Sequence, residues 1–200
     1  MSFSEHTEGV ANKARELAHL CGLIPQAMAA VGAAAELHDI GKWDDRFQFM
    51  LNPNRDPNLE PLAKGKWCSV REWRQRREAI GYPKNWRHEF ASVAIAAARS
   101  SWAEDCDREL ALYLIGTHHG YGRPFPPVWS DDERYQVRAR IDGETVTATR
   151  VHELASLDSG WVDRFWALTR QYGWWGLAHL EAILRRADCV RSREEQEDRN

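Results

Sequence analysis

Histidines and aspartates occur in this 200-residue chain in groups that could bind a metal ion. The sharpest group is His38-Asp39-Ile40-Gly41-Lys42, in which an imidazole and a carboxylate are adjacent. Further groups follow at Arg87-His88-Glu89, Thr117-His118-His119-Gly120 and Arg186-Ala187-Asp188-Cys189. Imidazole and carboxylate together suit divalent transition metals, and such mixed ligation leaves coordination positions open for water. A carboxylate shared by two ions can hold them about 3.5–4 Å apart, the spacing that phosphoester displacement uses.

The groups differ in how strongly they indicate a metal. A single histidine on an apolar face is more often a hydrogen-bonded core residue than a ligand, and this structural interpretation is the better one for His6 taken alone. The dipeptide His38-Asp39 fits both interpretations, although Ile40-Gly41-Lys42 after it strengthens the metal interpretation. The adjacent imidazoles of His118-His119 favour metal binding, because two such rings at one helix end are seldom both satisfied by chance.

Asp188 is a candidate ligand because of its position on a helix. It shares one helical face with Leu177, Leu180 and Leu184. Its carboxylate should therefore point into the core, where a charge needs a cation or strong hydrogen-bond donors. A metal ion would meet that need, and Arg185 or Arg191 is the alternative.

Helices must position these residues, because a helical period dominates the hydrophobic pattern. Ser2-x-x-Glu5 and Ser69-x-x-Glu72 are capping-box patterns that begin two helices, and Asn85 is a candidate cap of a third. We expect helices over about 3–21, 26–39, 43–51, 69–81 and 86–103, one through Leu114 to Gly120, and two closing helices over about 160–172 and 174–195.

One stretch of the chain, residues 135–149, has the pattern of strands. Asp142-Gly143 between two alternating runs is typical of a β-hairpin turn. We therefore predict a compact all-α domain with a small β-hairpin insertion. It forms a single domain over residues 1–200, and its charged end, 191–200, is expected to fray into solvent.

Composition excludes several classes of protein. With 43% hydrophobic and 28% charged residues the chain can form one sizeable core. It contains no apolar run of about 18 residues and no signal peptide, which predicts no membrane span and a cytoplasmic location. The four cysteines lie far apart in the sequence, and we expect them to be reduced thiols. The sequence also lacks GxxxxGK(S/T) and GxGxxG, so no common ATP or dinucleotide site is expected.

The net charge of −3 conceals a local asymmetry. Residues 64–87 carry eight basic side chains against two acidic ones, with Trp67, Trp73 and Trp86 interleaved. Basic side chains can follow phosphates and aromatic rings can stack on bases, but a solvated charged helix with core tryptophans is the alternative. The candidate substrate-binding residues are Arg74, Arg76, Arg77 and Arg87, together with Tyr121 and Arg123 beside the paired histidines.

In this order, the ligand candidates resemble those of the HD-domain metal-dependent phosphohydrolases. Within that superfamily the chain is most similar to the HD nuclease domain of the CRISPR-associated helicase-nuclease of type I systems. The resemblance rests on His6, His38-Asp39 with Gly41-Lys42, His88, His118-His119 and Asp188. It implies an HD-domain helical bundle. It also implies that His6, His38, Asp39 and Asp188 hold one metal, and that Asp39 bridges to a second held by His88, His118 and His119.

The resemblance further implies a function. Asp39 and Lys42 would be catalytic, with Lys42 near the scissile phosphate. The reaction would be hydrolysis of single-stranded DNA by endonucleolytic cleavage, with exonuclease activity also expected. It would use two divalent metal ions, which could be Mn, Ni, Co, Fe or Mg. A helicase subunit or domain and an RNA-guided surveillance complex would be the partners, and the isolated chain would be a monomer. The family's helicase part is absent from the sequence given, and the hairpin has no place in the family's common core.

Two other functions are open at this point. One is an HD phosphohydrolase that acts on a nucleotide or cyclic dinucleotide, since His118-His119-Gly120-Tyr121-Gly122 partly resembles an element of cyclic-dinucleotide phosphodiesterases. The other is a non-enzymatic HD scaffold that binds a partner. The full set of ligand candidates argues against the scaffold, because a degenerate site has no reason to keep them.

Overall fold

Helices make up most of the computed structural model, which describes residues 2–65, 68–132, 134–149 and 151–197. The α-helices are α1 (Phe3–Leu20), α2 (Pro25–Leu37), α3 (Asp45–Leu51), α4 (Val70–Ala79), α5 (His88–Ala97), α6 (Arg108–Thr117) and α7 (Trp161–Glu197). Short 3₁₀ turns lie at Ile40–Trp43 and Val151–Ala155, and strands β1 (Gln136–Ile141) and β2 (Glu144–Thr149) form a hairpin. The predicted all-α class with a hairpin insertion is confirmed.

None of the helices in the described residues combines the length and hydrophobicity that crossing a lipid bilayer requires.

Local capping patterns begin two of the helices as predicted. The hydroxyls of Ser2 and Ser69 accept from the backbone N–H three residues on, and Glu5 and Glu72 complete the capping boxes. The prediction for Asn85 is wrong. Asn85 adopts a left-handed conformation (φ 66°), which asparagine tolerates, and helix α5 begins at His88 and ends at Ala97, before the predicted Ala103.

Small residues let the central helices pack closely. Helix α1 packs on α2 and α7, α2 on α6, and α5 on α6. Alanines of α1 and α2 are fully buried at this contact, among them Ala14, Ala30 and Ala34. Trp161 at the start of α7 donates from Nε1 to the carbonyl of Gly122 at 2.7 Å. This bond ties the loop after His118-His119 to the core.

One face of the hairpin packs against the helical core. Asp142 and Gly143 both have positive φ (53° and 84°), which the two-residue turn requires. Alternate side chains, including Val137, Ala139 and Val146, are buried, and both strands contact α5. The hairpin prediction is confirmed over 136–149.

The C-terminal helix departs from the prediction at its end. Helix α7 is interrupted at Gly173 (φ 72°, ψ 164°), where the sequence predicts a break between two helices. The expected fraying of 191–200 is wrong for residues 191–197, which are helical. Glu195, at 4% exposure, is buried there. Residues 198–200 lie outside the described residues.

Gly41 is required for the turn that follows α2. A Cβ at Gly41 would lie 2.1 Å from the His88 carbonyl oxygen and 2.6 Å from the Ser92 nitrogen, both backbone atoms that cannot move aside cheaply. The Gly41 N–H also donates to Ser92 Oγ at 2.8 Å. This close approach brings the turn after His38-Asp39 against the start of α5.

We predict that Gly41→Ala lowers the free energy of unfolding by about 3 kcal/mol, because the new methyl group overpacks a backbone contact. Gly176→Ala is the matched control. Its Cβ would meet nothing closer than 3.7 Å, and alanine favours a helix over glycine by about 0.5–1 kcal/mol. Urea unfolding followed by circular dichroism measures both, and equal stability of Gly41→Ala and wild type would contradict the packing argument.

Candidate metal centre

The predicted ligands come from five separate elements and meet at Asp39. His6 lies in the first turns of α1, and His38 and His118 are the C-cap residues of α2 and α6. His88 is the first residue of α5. Asp39 itself is 2% exposed. The fold thus buries one carboxylate where several helix ends converge.

The two oxygens of the Asp39 carboxylate face different histidines. Oδ1 lies 3.0 Å from His88 Nε2 and 3.8 Å from His118 Nε2. Oδ2 lies 3.5 Å from His38 Nε2 and 3.7 Å from His6 Nε2. The ring nitrogens therefore fall into two sets, one on each side of the carboxylate.

Each set has the geometry of a possible metal site. One ligand atom from each of Asp39, His88, His118 and His119 lies within 4.8 Å of the others, and the same holds for His6, His38 and Asp39. Asp39 belongs to both sets. A metal ion could be held on either side of it.

Asp188 lies at the edge of this cluster. Its Oδ1 is 3.5 Å from His6 Nε2, and Ser192 Oγ donates to the same oxygen at 3.2 Å. The expectation that the carboxylate points into the core needs correction, because its side chain is 18% exposed. Of the alternative cations, Arg191 pairs instead with Glu194 and Glu195.

Hydrogen bonds on the outer ring nitrogens orient the histidines. The Nδ1 of His38 donates to the Ala35 carbonyl at 2.8 Å, and that of His118 to the Ile115 carbonyl at 2.7 Å. A carbonyl can only accept, so Nδ1 carries the proton and a neutral ring presents a bare Nε2 lone pair. In both residues that lone pair is aimed at the cluster, as a metal ligand requires.

The inward-facing atoms fit a metal ion because they lack other partners. His38 Nε2, His88 Nε2, His118 Nε2 and Asp39 Oδ1 are buried without a hydrogen bond among the residues that the structure describes. The 3.0 Å contact of His88 with Asp39 does not have the orientation of a hydrogen bond. Buried polar atoms are rarely left unpaired. A cation on each side of Asp39 could satisfy all four, with His88, His118 and Oδ1 on one side and His38 on the other.

The charges of the cluster suit metal binding. Burial lowers the pKa of both His38 and His118 below the ordinary value, so both rings are neutral at pH 7. Burial alone would raise the pKa of Asp39, but the charge of the neighbouring Lys42 holds it well below its usual range. Neutral rings at His38 and His118 beside an ionised Asp39 are the protonation states that metal ligation needs.

The side chain of Lys42 faces the cluster. Its Nζ lies 2.5 Å from Asp39 Oδ2 and 3.3 Å from the Ala63 carbonyl. The 3₁₀ turn after Asp39 places it there. The ammonium group supplies one positive charge beside the buried carboxylate.

Glu195 is a residue that the sequence analysis missed. Its Oε1 accepts from His6 Nδ1 at 2.9 Å, and Lys64 Nζ donates to its Oε2 at 2.9 Å. A carboxylate on the outer nitrogen of a metal-ligating histidine fixes the ring and raises its basicity. The signal was available, because Glu195 follows Asp188 by seven residues and lies on the same helical face.

The predicted substrate-binding arginines have different surroundings. Arg74 is exposed, whereas Arg76 donates to the Met50 carbonyl and Arg77 to those of Tyr82 and Pro83, so these two support the backbone. The guanidinium of Arg87 stacks 3.2 Å from the centre of the Tyr121 ring. Arg123 pairs with Glu181 at 3.0 Å. Lys66 and Trp67 of the basic segment lie outside the described residues.

Comparison with protein families matches residues 5–181 to the family described as "Cas3, HD domain". The chain belongs to the Cas3 HD domain family. This family consists of metal-dependent HD hydrolases with nuclease activity in CRISPR systems, acting on nucleic acid with a helicase partner. Comparisons with curated proteins and with solved structures gave no match.

The family match covers most of the Cas3 HD site but stops before α7 ends. His6, His38-Asp39, His88 and His118-His119 lie inside it. Asp188 and Glu195 lie beyond residue 181, and their association with His6 is known from the structure.

We predict that Glu195→Gln weakens Mn²⁺ binding to the Cas3 HD chain about tenfold, because the neutral amide no longer makes the His6 imidazole more basic. Glu194→Gln is the matched control, one residue earlier on the same helix, exposed, and without a contact to His6. Isothermal titration of EDTA-treated, dialysed protein measures the affinity. Equal affinities of the two variants would remove Glu195 from the site.

Proposed function

We propose that this chain hydrolyses single-stranded DNA at a centre of two divalent metal ions, in type I CRISPR interference, by endonucleolytic cleavage and also exonucleolytically. The observation that carries the proposal is the position of Asp39, whose two carboxylate oxygens face two sets of histidines. A carboxylate in this position can bridge two ions.

The proposed ligands follow from these two sets. His6, His38, Asp39 and Asp188 would hold one ion, and Asp39, His88, His118 and His119 the other. Two dications bring four positive charges, of which Asp39 and Asp188 offset two. The phosphate of the substrate offsets more, so the charge of the centre favours an anionic substrate.

The donor set favours transition metals. Five imidazole rings and two carboxylates suit Mn, Fe, Co or Ni better than Mg, which prefers oxygen ligands. When bound, the two ions would activate the attacking water and stabilise the attacking and leaving oxygens.

Lys42 is the chain's own contribution to the charge at the reacting phosphate. Its ammonium group is part-buried and faces Asp39, so it would lie close to a phosphate bound at the metal ions, where negative charge develops during hydrolysis. A fixed cation in a site of low dielectric stabilises such a charge strongly. We therefore assign Lys42 and Asp39 as the catalytic residues.

The strand would reach the centre over a rim formed by Arg87 and Tyr121. These residues flank His88 and His119 in sequence and stack on each other. Arg74 and Arg123 add exposed positive charge. Arg76 and Arg77 contribute less, because their guanidinium groups are engaged by carbonyls.

The partners complete the proposal. A helicase subunit or domain and an RNA-guided surveillance complex would deliver the single strand, since the sequence has no motif of an ATP-driven motor. We place the chain in the cytoplasm, as a single domain that is monomeric without these partners.

Cleavage assays test the proposal. The purified chain is incubated with Mn²⁺ and labelled single-stranded DNA, duplex DNA or a cyclic dinucleotide, with EDTA as the metal-free control. We expect cleavage of the single strand that EDTA abolishes. Cleavage of the cyclic dinucleotide alone would replace the proposal with a small-phosphoester hydrolase, and no cleavage by metal-loaded protein would leave a binding scaffold.

The matched variants in this assay are Asp39→Asn and Asp45→Asn. Asp39→Asn removes the charge that both ions share, and a loss of several kcal/mol of transition-state stabilisation corresponds to about a thousandfold or more in rate. Asp45 is an exposed carboxylate nearby in sequence, so its variant should cleave at the wild-type rate. Retained cleavage by Asp39→Asn would contradict the bridging role.

A further inference from the structure

A cavity of about 430 Å³ opens beside the metal centre. We call it the aromatic cavity, and its lining includes Gly120, Arg123, Phe165, Trp166, Trp174 and Glu181. We propose that the aromatic cavity binds a nucleobase of the DNA strand whose backbone lies at the metal centre. This inference rests on the proposed function, and it names the part of the substrate that the cavity takes.

The wall of the cavity is a group of partly exposed aromatic rings. Phe165, Trp166 and Trp174 pack edge to face, with ring centres 5.0–5.9 Å apart. Both indoles are exposed, and Trp174 keeps 62% of its surface in solvent. Tryptophan is enriched at binding interfaces, and an exposed indole offers a surface on which a base can stack.

The break at Gly173 creates this array. In an unbroken helix, residues eight apart are separated by about 12 Å along the axis, yet the rings of Trp166 and Trp174 are 5.7 Å apart. Gly173 leaves the helical conformation between them. The two halves of α7 thereby bring their tryptophans onto one cavity.

The floor of the cavity is polar. Glu181 is buried, accepts from the Tyr113 hydroxyl at 2.6 Å and pairs with Arg123 Nη1 at 3.0 Å. Arg123 is exposed at the mouth, and its guanidinium has more N–H donors than these contacts use. An aromatic wall with a few polar groups at one side is the usual composition of a small-ligand site.

The cavity lies close to the metal centre along two elements. Gly120 and Arg123 belong to the loop that follows His119. On α7, Glu181 precedes Asp188 by seven residues, about 10 Å along the axis on the same face. That is a distance that a nucleotide neighbouring the scissile phosphate can span.

The guanidinium group of Arg185 lies near the loop that joins the metal centre to the aromatic cavity. Arg185 is exposed. Its Nη1 lies beside Gly120, 3.5 Å from where a Cβ would lie if residue 120 had one. In the described ranges it makes no ion pair. Arg185 thus presents positive charge between Asp188 and the cavity, whereas the charge of Arg123 is offset by Glu181. This charge complements a phosphate backbone, which favours a nucleic acid over an apolar protein segment as the occupant.

The test compares Trp174→Ala with Trp175→Ala. Trp175 is the neighbouring tryptophan, is 89% exposed and does not line the cavity. The probes are a fluorescein-labelled thymidine oligonucleotide and an oligonucleotide of equal length built from abasic sites. Anisotropy titrations use EDTA-treated protein so that the strand stays intact. We expect Trp174→Ala to weaken binding of the thymidine strand about fivefold or more, and to leave abasic binding unchanged. Trp175→Ala should bind both strands as wild type does.

Four results would overturn the inference. Equal affinities of the two variants for the thymidine strand would show that the cavity holds no base. The proposed function would still stand if the wild-type protein binds and cleaves the strand. An equal loss on the abasic strand would assign Trp174 to the backbone. Loss of binding to a helicase subunit with unchanged DNA affinity would make the cavity a protein interface. Wild-type protein that neither binds nor cleaves the strand would remove the proposed function and this inference with it.

Discussion

The buried charge of Asp39 is the constraint on which the rest of the structure depends. A carboxylate at 2% exposure is expensive unless positive charge or donors surround it. Lys42 supplies part of the positive charge. Ring nitrogens also lie within 4 Å of the Asp39 carboxylate oxygens, from His6, His38, His88 and His118. Each of these residues comes from a different helix or helix end. The packing of the helices therefore serves to bring these groups to one carboxylate.

The close contact at Gly41 transmits this constraint to the fold. Only glycine lets the turn after Asp39 touch the backbone of α5 at His88 and Ser92. The spacing His-Asp-x-Gly-Lys therefore has a physical meaning. His38 and Asp39 are the candidate ligands, and Gly41 allows the close approach to His88. Lys42 places a positive charge beside the Asp39 carboxylate.

Local signals predicted local structure well. The capping boxes at Ser2 and Ser69 and the turn at Asp142-Gly143 depend on residues within a few positions, and each forms as expected. The left-handed conformation of Asn85 was not predicted, because the same side chain suits both a helix cap and that conformation. Glu195 was missed for a different reason. Its position on the Asp188 face of the helix could be read from the sequence, but its contact with His6 joins opposite ends of the chain and depends on the packing of α1 on α7.

If Asp39 lies between two metal ions, anomalous diffraction from crystals will locate both of them. Crystals of the chain grown with Mn²⁺, with data collected at the manganese absorption edge, would locate each ion. We predict two anomalous peaks, one bonded to Asp39 with His88, His118 and His119, and one bonded to Asp39 with His6, His38 and Asp188. A single peak, or peaks that do not touch Asp39, would contradict this prediction.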